Sequence, residues 1–127
     1  MQARVDDCIE RISGRSIVDA AGRGDMQSHY SCGAVFALVA EGVQKRRDGG
    51  DWFDFLRQLI AENLEDGLVT RAEWLAKLTD LSGDPALAEA IGVILDHGAA
   101  EPEVAIAALF ARAGILHRLE GERVVLL

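Results

Sequence analysis

A chain of 127 residues, half of them hydrophobic, is the size of one domain and long enough to bury about two-thirds of its unfolded surface. Its formal net charge of −8 argues against a nucleic-acid binder, which needs a basic surface to displace counterions, and against docking on an anionic membrane. No apolar run reaches the roughly 18 residues that cross a bilayer, the N-terminus lacks the basic start and apolar segment of a signal peptide, and Cys8 and Cys32 form no C-x-x-C pair, so the chain as written reads as soluble and cytoplasmic, in a reducing compartment and without a disulfide framework.

Val5, Cys8, Ile9 and Ile12 fall at helical spacing and predict a short helix over residues 4–12, closed by Ser13-Gly14. Ser16 to Ala21 offers one or two further turns. Gly22-Arg23-Gly24-Asp25 reads as a loop; Arg-Gly-Asp recurs too often by chance to be taken as a recognition motif. The stretch from Tyr30 to Arg47 organises the rest. Ala34 to Ala40 is apolar on every side, as in a helix that other helices surround. Ser28 or Ser31 is placed to cap it. Lys45, Arg46 and Arg47 complement the negative end of its dipole, and Gly49-Gly50 stops it.

Asp51 is an N-cap for a second helix whose first turn crowds Trp52, Phe53 and Phe55 into a packing anchor, with Leu56, Leu59, Ile60 and Asn63 continuing the stripe. Glu65-Asp66-Gly67 makes a turn. Thr70 and Glu73 form a capping box, and Trp74, Leu75, Leu78 and Leu81 give that helix its buried face before Ser82-Gly83. Asp84-Pro85 and Glu101-Pro102 open two more helices with proline at the position that tolerates it best. Leu87, Ile91, Ile94 and Leu95 point inward in the first, which ends at His97-Gly98. Ile106, Leu109, Phe110 and Ala113 do so in the second, which ends at Gly114. Ile115–Leu119, a Glu120-Gly121 turn and Glu122–Leu127 read as a β-hairpin, with Val124 to Leu127 a sticky edge if unpaired. The predicted fold is all-α: a single helical domain over 1–127, a five-helix orthogonal bundle around a buried central helix, with a short N-terminal helix and a C-terminal hairpin.

Candidate chemistry is sparse. Aligning Gly67 with the glycine of a calcium-binding EF-hand loop puts Glu62 first, Asp66 fifth and Glu73 last, but Leu64 then stands where an oxygen ligand is needed. The segment reads better as a capped helix–turn–helix joint. His29 and Cys32 stand three apart, with His97 and His117 elsewhere, which does not make the paired spacing of a zinc site. A Cys32 thiolate activated by a helix N-terminus and His29 is the form a thiol enzyme would take, against the plainer reading of a small buried cysteine. His97 reads as a complement to a helix C-terminus.

An ordered set of pieces is more specific. Tyr30-Ser-Cys-Gly33 leads an apolar helix that ends in Arg46-Arg47 and Gly49-Gly50. Trp52-Phe-Asp-Phe-Leu-Arg-Gln-Leu-Ile follows, then Thr70-Arg-Ala-Glu-Trp-Leu, Leu81-Ser-Gly83, Leu95-Asp-His-Gly98 and Ala113-Gly114-Ile115. Over roughly residues 25–117 this resembles the C-terminal half of the helical catalytic domain of gluzincin zinc aminopeptidases, of the glycyl- and leucine-aminopeptidase types. The resemblance implies that Tyr30, the only tyrosine of the chain, matches the family's oxyanion hydrogen-bond donor, a catalytic role. It also marks departures. Ser31-Cys32 stands where the family often has a lysine, and the H-E-x-x-H ligands and general-base glutamate are not in this chain. Zinc therefore belongs only to a full-length relative, no metal or other cofactor is expected here, and the chain alone should not hydrolyse peptides. The resulting expectation is a non-catalytic, peptidase-like domain that forms the wall of a peptide-substrate cleft. Its expected partner is the missing catalytic half or a second copy, docked on a contiguous apolar patch. The alternatives are a protein-interaction or dimerisation module and a Cys32-based thiol enzyme.

Overall fold

In a computed structural model that describes residues 1–63 and 68–127, the apolar stretch at Ala34–Ala40 lies in the longest helix, Gln27–Asp48. Chain order runs α1 (Gln2–Arg11), a 3-10 turn (Ala21–Arg23), α2 (Gln27–Asp48), α3 (Trp52–Glu62), α4 (Arg71–Ser82), α5 (Pro85–His97) and α6 (Pro102–Ala113). A hairpin of β1 (His117–Glu120) and β2 (Arg123–Leu126) follows. The described residues are thus mostly helical, with six α-helices and one short antiparallel pair.

Helix α2 packs against α1, α3, α4 and α6, while α5 packs against α4 and α6. Val35, Phe36, Val39 and Ala40 are buried, and Ala34, Ala37 and Leu38 are half-buried, so none of the seven central residues faces open water. The core they enter gathers Phe55 and Leu59 of α3, Leu78 of α4, Leu87, Ile91 and Ile94 of α5, and Ile106, Leu109 and Phe110 of α6. Burial of such aliphatic and aromatic side chains stabilises by about 1.5–3 kcal/mol each. Gly42 permits the α2–α6 approach, because a Cβ there would meet the Ala113 carbonyl oxygen at 2.7 Å.

The stop and start signals act where they were expected to, with particulars that differ. Gly49, Gly83 and Gly114 end α2, α4 and α6 in the left-handed conformation. Thr70 and Glu73 form a full capping box, and Asp51 makes one with Asp54. Neither Ser28 nor Ser31 caps α2, which begins at Gln27 after Met26 without a side-chain cap. Both serines are buried and donate to carboxylates instead, Ser28 Oγ to Asp25 at 2.6 Å and Ser31 Oγ to Asp7. Asp25 also accepts the Ser28 backbone N–H, so it serves the helix start from outside. Ser16 to Ala21 makes no α-helix: the Ala20 N–H closes one turn onto the Ile17 carbonyl, and Ala21 opens the 3-10 turn that runs to Arg23. Ile17 and Val18 instead donate their backbone N–H groups to the Leu95 carbonyl, both at 3.0 Å, which uses them across the fold rather than along a helix. Phe53 is exposed, leaving Trp52 and Phe55 as the anchor of α3. The Glu65-Asp66-Gly67 turn lies outside the described residues.

The hairpin is shorter than the sequence suggests. Glu120 pairs with Arg123 across a two-residue loop, Gly121-Glu122, in which Gly121 supplies positive φ. The outer edge of β2 is capped by one side chain from the far end of the chain: Gln2 of α1 donates to the Val124 carbonyl at 2.7 Å and accepts the Leu126 N–H at 2.9 Å. That answers the sticky edge by satisfying its backbone groups.

The largest departure concerns sulfur. Cys8 and Cys32 are joined by a disulfide across a Cα separation of 4.9 Å, tying α1 to α2, and both residues are fully buried. The spacing of two lone cysteines carries no trace of this, because the pairing depends on how α1 lies against α2.

Candidate functional site

One face of α2 is left without a covering side chain, and a cavity of about 330 Å³ lies over it. Gly33 and Ala37 make the floor, and Phe36 stands beside them. Small residues one turn apart hold the floor low, and a Cβ at Gly33 would meet nothing within 4 Å. Trp52 comes from the capped first turn of α3; Trp74 closes the capped first turn of α4 and Leu75 follows it. Ile91 and Leu95 of α5 close the opposite wall, and Val18, held by the Leu95 carbonyl, supplies the rim. Phe55 lies behind this wall, stacked on Trp52 with centroids 5.6 Å apart and edge-on to Trp74 at 5.7 Å. Those contacts fix both indoles against the core.

The cavity has one charged lip. Arg71 of α4 reaches α5, where its guanidinium donates to both oxygens of Asp96 at 2.7 and 3.0 Å and to the Gly92 carbonyl at 3.1 Å. The fork-shaped pairing holds Arg71 protonated above its ordinary value and lowers the Asp96 carboxyl below the usual aspartate range. An apolar bowl with one hydrogen-bonding edge is the common make-up of a small-molecule or side-chain binding site.

The sequence-derived candidates are scattered around this bowl. Tyr30 is 65% exposed in the first turn of α2, one turn before Gly33 on the same helix face, outside the residues that line the cavity. His29 is exposed, and Cys32 is not a free thiol, so the thiol-enzyme reading is corrected: its nucleophile is spent in the disulfide. His117 Nδ1 lies 2.8 Å from the Ile115 carbonyl oxygen, with its ring edge-on to Phe110, and His97 is exposed at the end of α5. Glu62 accepts from the buried Lys77 at 2.7 Å, and Glu73 is engaged with Thr70. Asp66 and Leu64, the other positions of the calcium-loop comparison, lie outside the described residues. Among the described residues no three His, Cys, Asp or Glu side chains gather where a metal could be held. The Asp of Arg23-Gly24-Asp25 is turned inward, paired with Arg11 at 2.5 Å.

The sequence marks Trp52, Trp74 and Leu75 only as packing residues and does not anticipate that Arg71 would stand at the edge of the same cavity, held there by Asp96, 25 residues away. The available signal is faint: aromatic residues placed just after two N-caps. Comparisons of the chain with known protein families, curated proteins and solved structures found no match. No helix among the described residues is long and apolar enough to cross a membrane.

Proposed function

We propose that this chain is a peptide-binding helical domain, not catalytic by itself, which receives a large apolar side chain in the cavity on α2. The observation that carries this reading is the bowl itself, about 330 Å³ and walled by Phe36, Trp52 and Trp74. Transfer of an apolar side chain onto such walls is favourable by about 25 cal/mol per Å² of apolar surface removed from water. Arg71, fixed by its pairing with Asp96, puts one cationic group at the edge of the bowl beside which a peptide carbonyl could lie. In this reading α2–α6 form a five-helix orthogonal bundle that serves as one wall of a substrate cleft.

The kinship with gluzincin aminopeptidases is a proposal of the same kind. Its support is the exposed position of Tyr30, on the face of α2 that leads to the cavity floor. Joined to a zinc-bearing half, Tyr30 would stand near the backbone of a peptide whose side chain fills the bowl. A dimerisation role is the second reading, favoured by the exposed apolar groove between α5 and α6, where Val93, 51% exposed, stands with Ala90, Ala105 and Ala108.

Trp52 and Trp74 are the only tryptophans in the chain and both line the cavity, so intrinsic fluorescence reports occupancy directly. Titration with N-acetyl-phenylalaninamide is expected to give a saturable emission shift, and N-acetyl-glycinamide none. Ala37→Leu, which fills the floor, should abolish the shift while leaving the thermal midpoint close to that of the parent. A flat titration, or an Ala37→Leu variant that responds like the parent, removes the proposal. Sedimentation of either protein as a dimer would favour the second reading.

A further inference from the structure

We infer that folding of this domain is completed by oxidation: the Cys8–Cys32 bond seats the strap of residues 12–20 against α5, and the finished fold belongs to an oxidising compartment. The bond closes a loop 24 residues apart in sequence, and both cysteines are fully buried where α1 meets α2. Between them lie the end of α1, the strap of residues 12–20, the 3-10 turn Ala21–Arg23 and the first turn of α2, and the strap buries only Ile12, Ile17 and Ala20. That strap is held to the other side of the fold by the buried side chains of Ile12, Ile17 and Ala20 and by a few backbone bonds. Gly14 donates to the Ala99 carbonyl, Ala99 donates to the Ile12 carbonyl, and Ile17 and Val18 donate to the Leu95 carbonyl. Gly98, in positive φ, makes the approach feasible, since a Cβ there would meet the Arg15 carbonyl oxygen at 2.3 Å. Those four hydrogen bonds contribute about 0.5–1.5 kcal/mol net apiece and the buried Ile12 and Ile17 about 1.5–3 kcal/mol each, which does no more than offset the roughly 1–2 kcal/mol per residue needed to order the segment. Fixing both ends covalently removes part of that disorder from the open state.

The chemistry is a thiol–disulfide exchange. The Cys8 and Cys32 thiols each give up a proton and together give two electrons to a disulfide oxidant of the compartment, which leaves as two thiols. Complete burial of both cysteines then shields the finished bond from attack by other thiols, so it acts as a lasting staple. Proteins that depend on such a bond are characteristic of oxidising compartments. This inference stands apart from peptide binding, although Val18 of the strap is also the cavity rim.

The test uses the whole chain, refolded with oxidised and reduced glutathione and compared with the same chain kept reduced. Iodoacetamide under denaturing, non-reducing conditions should leave Cys8 and Cys32 unmodified in the first sample and alkylate both in the second. Amide exchange should show the Ile17 and Val18 N–H groups opening roughly a hundredfold more often in the reduced chain, the scale expected for a cross-link of this span. The α6 amides of Leu109 and Phe110 serve as the internal reference. Complete unfolding of the reduced chain, where the oxidised one is folded, would support the inference in its strongest form. A Cys8→Ala/Cys32→Ala variant supplies the same comparison without thiol chemistry. Thiols that stay free in oxidised glutathione, or equal protection of Ile17 and Val18 in both chains, would overturn it.

Discussion

Gly98 is the residue on which the strap turns. Its φ of 67° and ψ of −148° lie in a region open essentially to glycine, and a Cβ would collide with the carbonyl oxygens of Arg15 and Ile12 at 2.3 and 2.4 Å. Both objections are to backbone, which cannot swing aside as a flexible side chain would. Gly98→Ala is therefore expected to destabilise by about 3 kcal/mol, read as a lowered midpoint in urea, whereas Gly33→Ala, with open space around the added carbon, should change little. Equal midpoints for the two variants would contradict the close approach. The sequence marks Gly98 as a helix stop, which it is, but the crowding comes from a segment more than eighty positions earlier. Local propensity carries no information about that.

At the scale of elements, most boundaries were legible because each is set by chemistry within a few residues. The capping box at Asp51 is a case in point. Asp51 accepts the Asp54 N–H at 3.0 Å, and Asp54 accepts the Asp51 N–H at 2.8 Å. Asp51→Ala should cost about 1 kcal/mol. It should also loosen Trp52, whose own N–H is held by Glu41 of α2 at 3.1 Å, and so broaden the tryptophan emission. Unchanged stability and emission would show that tertiary packing alone sets the start of α3. The elements read wrongly are those whose partners are remote. The strap looked helical because its hydrogen bonds to Leu95 cannot be seen in its own residues, and the serines near the start of α2 looked like caps because Asp7 and Asp25 were not yet beside them.

For the molecule as a whole, a net charge of −8 leaves carboxylates in excess, and several are held ionised by specific partners. A bond from Arg123 lowers Asp6, bonds from Ser28 and then the Arg11 charge lower Asp25, and a bond from Arg71 lowers Asp96. Burial pushes Asp7 up, but its bonds from Ser31 and Arg11 outweigh it and the net direction is down. A carboxyl lowered in the folded state stabilises fully above its unfolded value near ~4 and loses that contribution as pH falls through the lowered value. Stability should thus be level from neutral pH down to about 4 and fall below it. Arg11→Met, which removes the cation shared by Asp7 and Asp25, should flatten that fall. Urea midpoints measured against pH for both chains decide the point; parallel curves would mean that Arg11 does not couple the two carboxylates to folding.

The amino-acid order alone determined that the chain is mostly helical, where α3 to α6 begin and where α2, α4, α5 and α6 end, that residues 34–40 are enclosed, and that a hairpin follows. Each of these is written in spacing, caps and turn residues over a span of one element or less. The tertiary structure decided which cysteine meets which, which arginine closes the lip over the tryptophans, and which face of α2 stays uncovered. These are encounters between residues far apart in the chain, set by how the helices stack. One helix face shows how apolar it is, never what lies against it.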